Sequence, residues 1–153
     1  MTFDLKFHTH RLLRKEPFFA AFSRRVDKVA DYSIPTAAIG YDRKTYRFTL
    51  FYNPDFMESL TDDEKVGVLK HEFYHLILGH LNGRIPFDRE KESHLMRLWN
   101  VASDLAINSH LIGELPKMAC IPGVPPFQEY PTNGTAEFYF KRLQEDKQEQ
   151  QGP

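Results

Sequence analysis

The chain has 153 residues, 41% hydrophobic and 14% aromatic, a formal net charge of -1 and a single cysteine, Cys120. Such a length supports one domain with its own core, and a near-neutral charge gives no general attraction for a polyanion, so nucleic acid is not an expected partner. One cysteine excludes an internal disulfide; with no secretory pattern at the N-terminus and no stretch near the ~18 apolar residues of a membrane span, the expected location is the cytoplasm, away from membranes.

Between residues 11 and 30, Leu12, Leu13, Phe18, Phe22, Val26 and Val29 recur at threes and fours, which predicts an amphipathic helix with Pro17 near an early turn. His8 and His10 stand two apart, cannot stack on one helix face, and are read as surface histidines. Pro35 biases Ile34 away from helical angles and ends the segment. Thr36 to Tyr41 and Thr45 to Tyr52 are then two runs of β-branched and aromatic residues, a hairpin or a pair of adjacent strands. The second run alternates two unlike faces, and it is the candidate sheet edge on which an extended substrate would pair.

Asn53-Pro54 closes that strand, and Thr61-Asp62-Asp63-Glu64 is a capping-box pattern that opens the most informative stretch, V-G-V-L-K-H-E-F-Y-H-L-I-L-G-H from Val66 to His80. His71 and His75 are four apart, so on a helix their side chains lie one above the other and can share a metal ion. Glu72 sits beside that face, which suits a general base for a metal-bound water better than a third ligand. Zn2+ is the expected ion and hydrolysis the expected chemistry. Gly79 loosens or ends the helix. His80 lies about 140° around from His75 if the helix continues, and reaches back toward the metal only if the chain turns at Gly79.

After a polar loop, Ser93 to Leu111 has a helical apolar face, with Asn100, Asp104 and Asn108 at i, i+4 and i+8 on a neighbouring stripe. A hydrolytic zinc site needs three protein ligands and an open position, so Asp104 is the candidate third ligand, with Asn100 and Asn108 orienting it or the substrate. The Pro-rich segment after Gly113 is loop, either a cleft wall or a cover for the core. Thr135-Ala136-Glu137 starts a last helix to Leu143, and the polar residues 144–153 are expected to be a disordered tail after a single domain spanning 1–143.

Together, Tyr52-Asn53-Pro54, His71-Glu72-x-x-His75 with His80 and Arg84 following, Trp99-Asn100-x-Ala102-x-Asp104-x-x-Ile107-Asn108 and Thr135-Ala136-Glu137 resemble a bacterial metallopeptidase domain family. Its longer members carry a von Willebrand factor A-like domain after this one. The resemblance covers roughly residues 35 to 143. It implies an α+β, zincin-like fold: a small mixed or antiparallel sheet packed on the helix with both histidines and on a second, ligand-bearing helix. It does not imply a known substrate; a peptide or protein substrate is what the peptidase reading expects, together with a partner protein in place of the C-terminal domain.

Three functions compete. In the first, a zinc-dependent metallopeptidase, His71, His75 and Asp104 hold the metal, Glu72 is the base, and His80, Tyr74 or Arg84 supplies an oxyanion donor. The second is a three-histidine, metal-dependent endoribonuclease-like hydrolase that uses His80 in place of Asp104. The third is a zinc-containing module that binds a peptide or protein without cleaving it.

Overall fold

The computed structural model describes residues 3–5, 7, 14, 17, 19, 23–80 and 84–151. Three strands, β1 (Val26–Ala30), β2 (Ala37–Asp42) and β3 (Arg47–Tyr52), form a mixed sheet in the order β1-β3-β2. Four helices follow: α1 (Pro54–Glu58), α2 (Asp62–Ile77), α3 (Met96–Asn108), entered through a 3-10 turn at Ser93–Leu95, and α4 (Ala136–Gln151). The architecture is α+β, and no helix among the described residues is long and apolar enough to cross a membrane.

The expected helix over 11–30 does not extend through its last third, because Val26–Ala30 is a strand running parallel to β3, Val26 opposite Phe48 and Ala30 opposite Tyr52. Only Val26 of these five is buried, so the threefold spacing of apolar residues was no guide to a helix face here. Ladder hydrogen bonds and a cross-strand ion pair, Arg47 to Asp27 at 2.7 Å, stabilise the strand instead. Residues 8–13 and most of 15–22 lie outside the described residues, and with them His8, His10 and the start of that segment.

This pairing changes which strand is the edge. β3 is central, bonded to β1 on one side and antiparallel to β2 on the other, so the second run is not the exposed edge that its sequence pattern offered. β2 is an edge. The Asn53 N–H bond to the Thr36 carbonyl, 2.8 Å, continues the β2–β3 ladder and fixes its parity. Residues 38, 40 and 42 thus bond to β3, while the backbone groups of Ala37, Ile39 and Tyr41 point away from it.

Pro54 occupies the first turn of α1, capped by the Asn53 side chain, which accepts from the N–H groups of Asp55 and Phe56. Thr61 and Glu64 complete the capping box at the start of α2. Leu69 and Phe73 of α2 pack with Ile39, Leu50 and Met57 in one apolar cluster, and Trp99, Leu105, Tyr139 and Phe140 form a second between α3 and α4. The last helix runs to Gln151, beyond the expected end at Leu143, so residues 144–151 are helical and not a disordered tail. Their Gln, Glu and Lys content favours helix, and Asp146 accepts from the Tyr130 hydroxyl at 2.5 Å and pairs with Arg142 one turn earlier.

Candidate metal centre

Helix α2 aims His71 and His75 at α3, where Asp104 occupies the middle of its polar stripe. His71 Nε2 and His75 Nε2 are 3.2 Å apart, and Asp104 Oδ1 is 3.1 Å from each. Such a triangle is close to a face of a tetrahedron with metal bonds of about 2.0 Å, whose edges are about 3.3 Å. Two imidazole nitrogens and one carboxylate oxygen also make a donor set suited to a divalent transition-metal ion, zinc and iron among them. The donor groups therefore fit a metal, and they form the one such group of three among the described residues.

Electrostatics within the triangle are mutual. Burial alone would lower the His71 pKa, but the hydrogen bond with Asp104 and the nearby Glu72 and Asp104 charges raise it to about 9. Burial would raise Asp104, yet its bonds to His71 and His75 hold it below the usual carboxylate range.

Each histidine is held from behind. Asn108, 2% exposed, places Oδ1 2.6 Å from His71 Nδ1 and donates from Nδ2 to the Cys120 carbonyl at 2.8 Å. The Cys120 carbonyl requires a donor, which turns the amide oxygen toward His71. An oxygen only accepts, so His71 Nδ1 carries a proton in either charge state of the ring, and Nε2 is the nitrogen that faces Asp104.

Behind His75 stands His80. Gly79 has φ 68°, the Gly79 N–H bonds to the Leu76 carbonyl and the His80 N–H to the His75 carbonyl, which is a Schellman turn with His75 at C3 and His80 at C″. The chain does turn at Gly79. His80 Nδ1 lies 3.4 Å from His75 Nδ1, the nitrogen on the far side of that ring from Asp104. Its backbone carbonyl accepts from the Trp99 indole at 2.9 Å. Burial, with the charges of His75 and Arg84, lowers the His80 pKa to about 4 and keeps the ring neutral. Arg84, an oxyanion-donor candidate from the sequence, is instead forked onto Glu137 at 2.9 and 2.6 Å and onto the Leu78 carbonyl.

Glu72 is 7% exposed beside the triangle. Burial raises its pKa, against the pull of His71 and His75, and the outward backbone N–H of Ile39 on β2 lies near the carboxylate and also opposes that rise. A possible metal-binding triangle thus has a buried carboxylate of raised pKa at its side. A family model described as "Putative metallopeptidase domain" matches residues 3–153. The chain belongs to that family. No curated protein and no solved structure matches it significantly.

In this metallopeptidase-family chain the triangle opens into a cavity of about 400 Å³. One wall is the β2 edge, Thr36 to Ile39; the other is the segment 115–120 after α3; Asn100 and Ser103 lie between them. The second wall is clasped to α2. At Gly67 a Cβ would stand 2.0 Å from the Glu114 carbonyl oxygen, so only glycine lets the segment lie there, and Lys70 reaches the Glu114 carboxylate at 3.0 Å. Sequence reasoning did not reach Gly67, Ile39 or the Cys120 carbonyl. Two of them act through backbone atoms and carry no side-chain signal, whereas a glycine inside a helical pattern was a visible one.

Proposed function

We propose that the domain is a zinc-dependent peptidase of zincin-like architecture, with His71, His75 and Asp104 as the ligands and Glu72 as the general base. The observation that carries this reading is the convergence of two Nε2 atoms and one carboxylate oxygen beside a buried glutamate. Bound there, Zn2+ supplies Lewis-acid polarisation of a carbonyl and acidifies water.

The remaining work falls to this chain's own groups. The outward N–H and C=O of Ala37 and the C=O of Ile39 offer main-chain pairing to an extended substrate along β2. Glu72 accepts a proton from the attacking water as its oxygen bonds to the scissile carbonyl carbon. It then gives that proton to the amide nitrogen as the C–N bond breaks. A raised pKa brings the carboxylate nearer to working in both directions. Asn108 and His80 act as positioning residues for His71 and His75.

The ribonuclease alternative loses support at the cavity, whose described lining contains no Lys or Arg to meet a phosphate backbone. Replacing Glu72 with Gln is the direct experiment. Zinc stoichiometry by elemental analysis stays at one per chain, while cleavage of a mixed peptide library, followed by mass spectrometry, disappears. Undiminished cleavage by E72Q would overturn the assignment of the base.

A further inference from the structure

Resting on the peptidase reading, we infer that the cleft selects an internal peptide bond flanked by a bulky apolar side chain. Two independent features of the lining lead there. The first is charge. Glu72 and Asp104 are the acidic side chains among the described lining residues, and both belong to the reacting centre, Glu72 near the Ile39 N–H and Asp104 bonded to the two histidines. Apart from the histidines of the triangle and the metal they would hold, no Lys or Arg among the described lining residues can hold a terminal carboxylate or an acidic side chain, and no described carboxylate outside the reacting centre can hold a terminal ammonium or a lysine. A charged group lodged there would lose its hydration without compensation.

The second is shape and chemistry. Away from the triangle the lining includes bulky apolar side chains from three separate elements: Phe56 of α1, Val68 one turn before His71 on α2, and Leu115 and Met118 of the clasped wall. Met118 is 66% exposed although it stands in a wall held against α2 at Gly67 and Lys70. An exposed, unbranched thioether facing a cavity is an adaptable contact for another apolar group. The β2 edge sets how a substrate meets it. Since the Ile39 N–H lies near Glu72, main-chain pairing is left to Ala37 and to the Ile39 carbonyl, on the β2 edge that lines the same cavity as the wall. A strand paired there turns alternate side chains toward Leu115 and Met118.

Two measurements on the full chain test this. Zinc-loaded protein is incubated with a library of 14-residue peptides, with free and with blocked termini, and the cleaved bonds are read by mass spectrometry against the Glu72→Gln control. In parallel, blocked tetrapeptides differing only in a central Leu, Phe, Gly, Asp or Lys are titrated into protein labelled at its methionine methyls. Cleaved bonds should be internal and enriched about tenfold or more for Leu, Ile, Met or Phe on one side. The Met118 methyl should shift with the Leu and Phe peptides at concentrations where the others leave it unmoved. Met118→Lys, a change at an exposed position, should transfer the preference to Asp and Glu.

Cleavage without apolar enrichment, or confined to peptide ends, overturns this inference and leaves the peptidase reading standing. Leu-selective shifts without any cleavage support the inference and remove the peptidase reading. Neither cleavage nor selective shifts overturn both.

Discussion

The Asn108 amide bridges His71 and the backbone of the cleft wall: its oxygen lies 2.6 Å from His71 Nδ1 and its nitrogen 2.8 Å from the Cys120 carbonyl. One buried side chain therefore sets both the proton position on a ligand and the place of the wall beside it.

Replacing Asn108 with Leu removes the acceptor behind His71 and leaves the Cys120 carbonyl without its donor. Zinc affinity, measured by competition with a chromophoric chelator, should fall about 10- to 100-fold. Asn108→Asp keeps an acceptor and should recover much of that loss. Equal losses in the two variants would mean that Asn108 matters for packing alone.

In the metal-free protein the shifted histidines act in opposite pH ranges. His71 has a folded pKa near 9 against 6.5 unfolded, so its contribution is complete below 6.5 and is lost as pH rises through 9. For His80 the folded value is near 4, so the unfolded chain binds the extra proton between 4 and 6.5 and stability rises with pH across that window. Denaturant midpoints measured in chelator should peak near pH 6.5. Asp104→Asn should flatten the alkaline limb and His80→Phe the acid limb; a parent profile without the alkaline fall would contradict the His71 shift, and one without the acid-side rise that of His80.

Gly67→Ala drives a Cβ to 2.0 Å from a backbone oxygen, where no rotamer change can relieve it. The cost should be about 1–3 kcal/mol in chemical denaturation. Zinc affinity should fall too, because Glu114 leads directly into the wall that meets Asn108. A fully stable Gly67→Ala protein would mean that the wall does not lie on α2 as described.

Arg84 and Glu137 are about one-third and two-fifths exposed, so their forked pair is screened by solvent. Arg84→Lys, which loses the fork and the bond to the Leu78 carbonyl, should cost about 1 kcal/mol and no more. The Arg84 hydrogen bond lowers the Glu137 pKa, so that stabilisation is present above about 4.5 and fades as pH falls below it. Thermal melts at pH 7 and pH 3 should therefore separate the Lys variant from the parent only at the higher pH.

Legibility in the sequence followed the range of the interaction. The capping box at Thr61, the hairpin around 42–44 and the polar stripe on α3 are local patterns, and each appears in the structure where its residues predict it. Strand β1 was illegible because its partner lies some twenty residues away and its ladder is made by backbone atoms. That one error moved the sheet edge from β2 to β3. Nor could spacing decide the position of His80, since the answer depended on φ at Gly79, which glycine permits but does not demand.

The Schellman turn gives the interval between the last two histidines a meaning. Positions C3 and C″ are five residues apart by construction, so in a chain reading His-x-x-x-Gly-His the final ring lies behind the first. Glycine at the penultimate place thus belongs to the pattern as much as the histidines do. One inserted residue would send the last ring elsewhere without altering any ligand, which makes the length of this short spacer a heritable control on how firmly the second metal-facing imidazole is held.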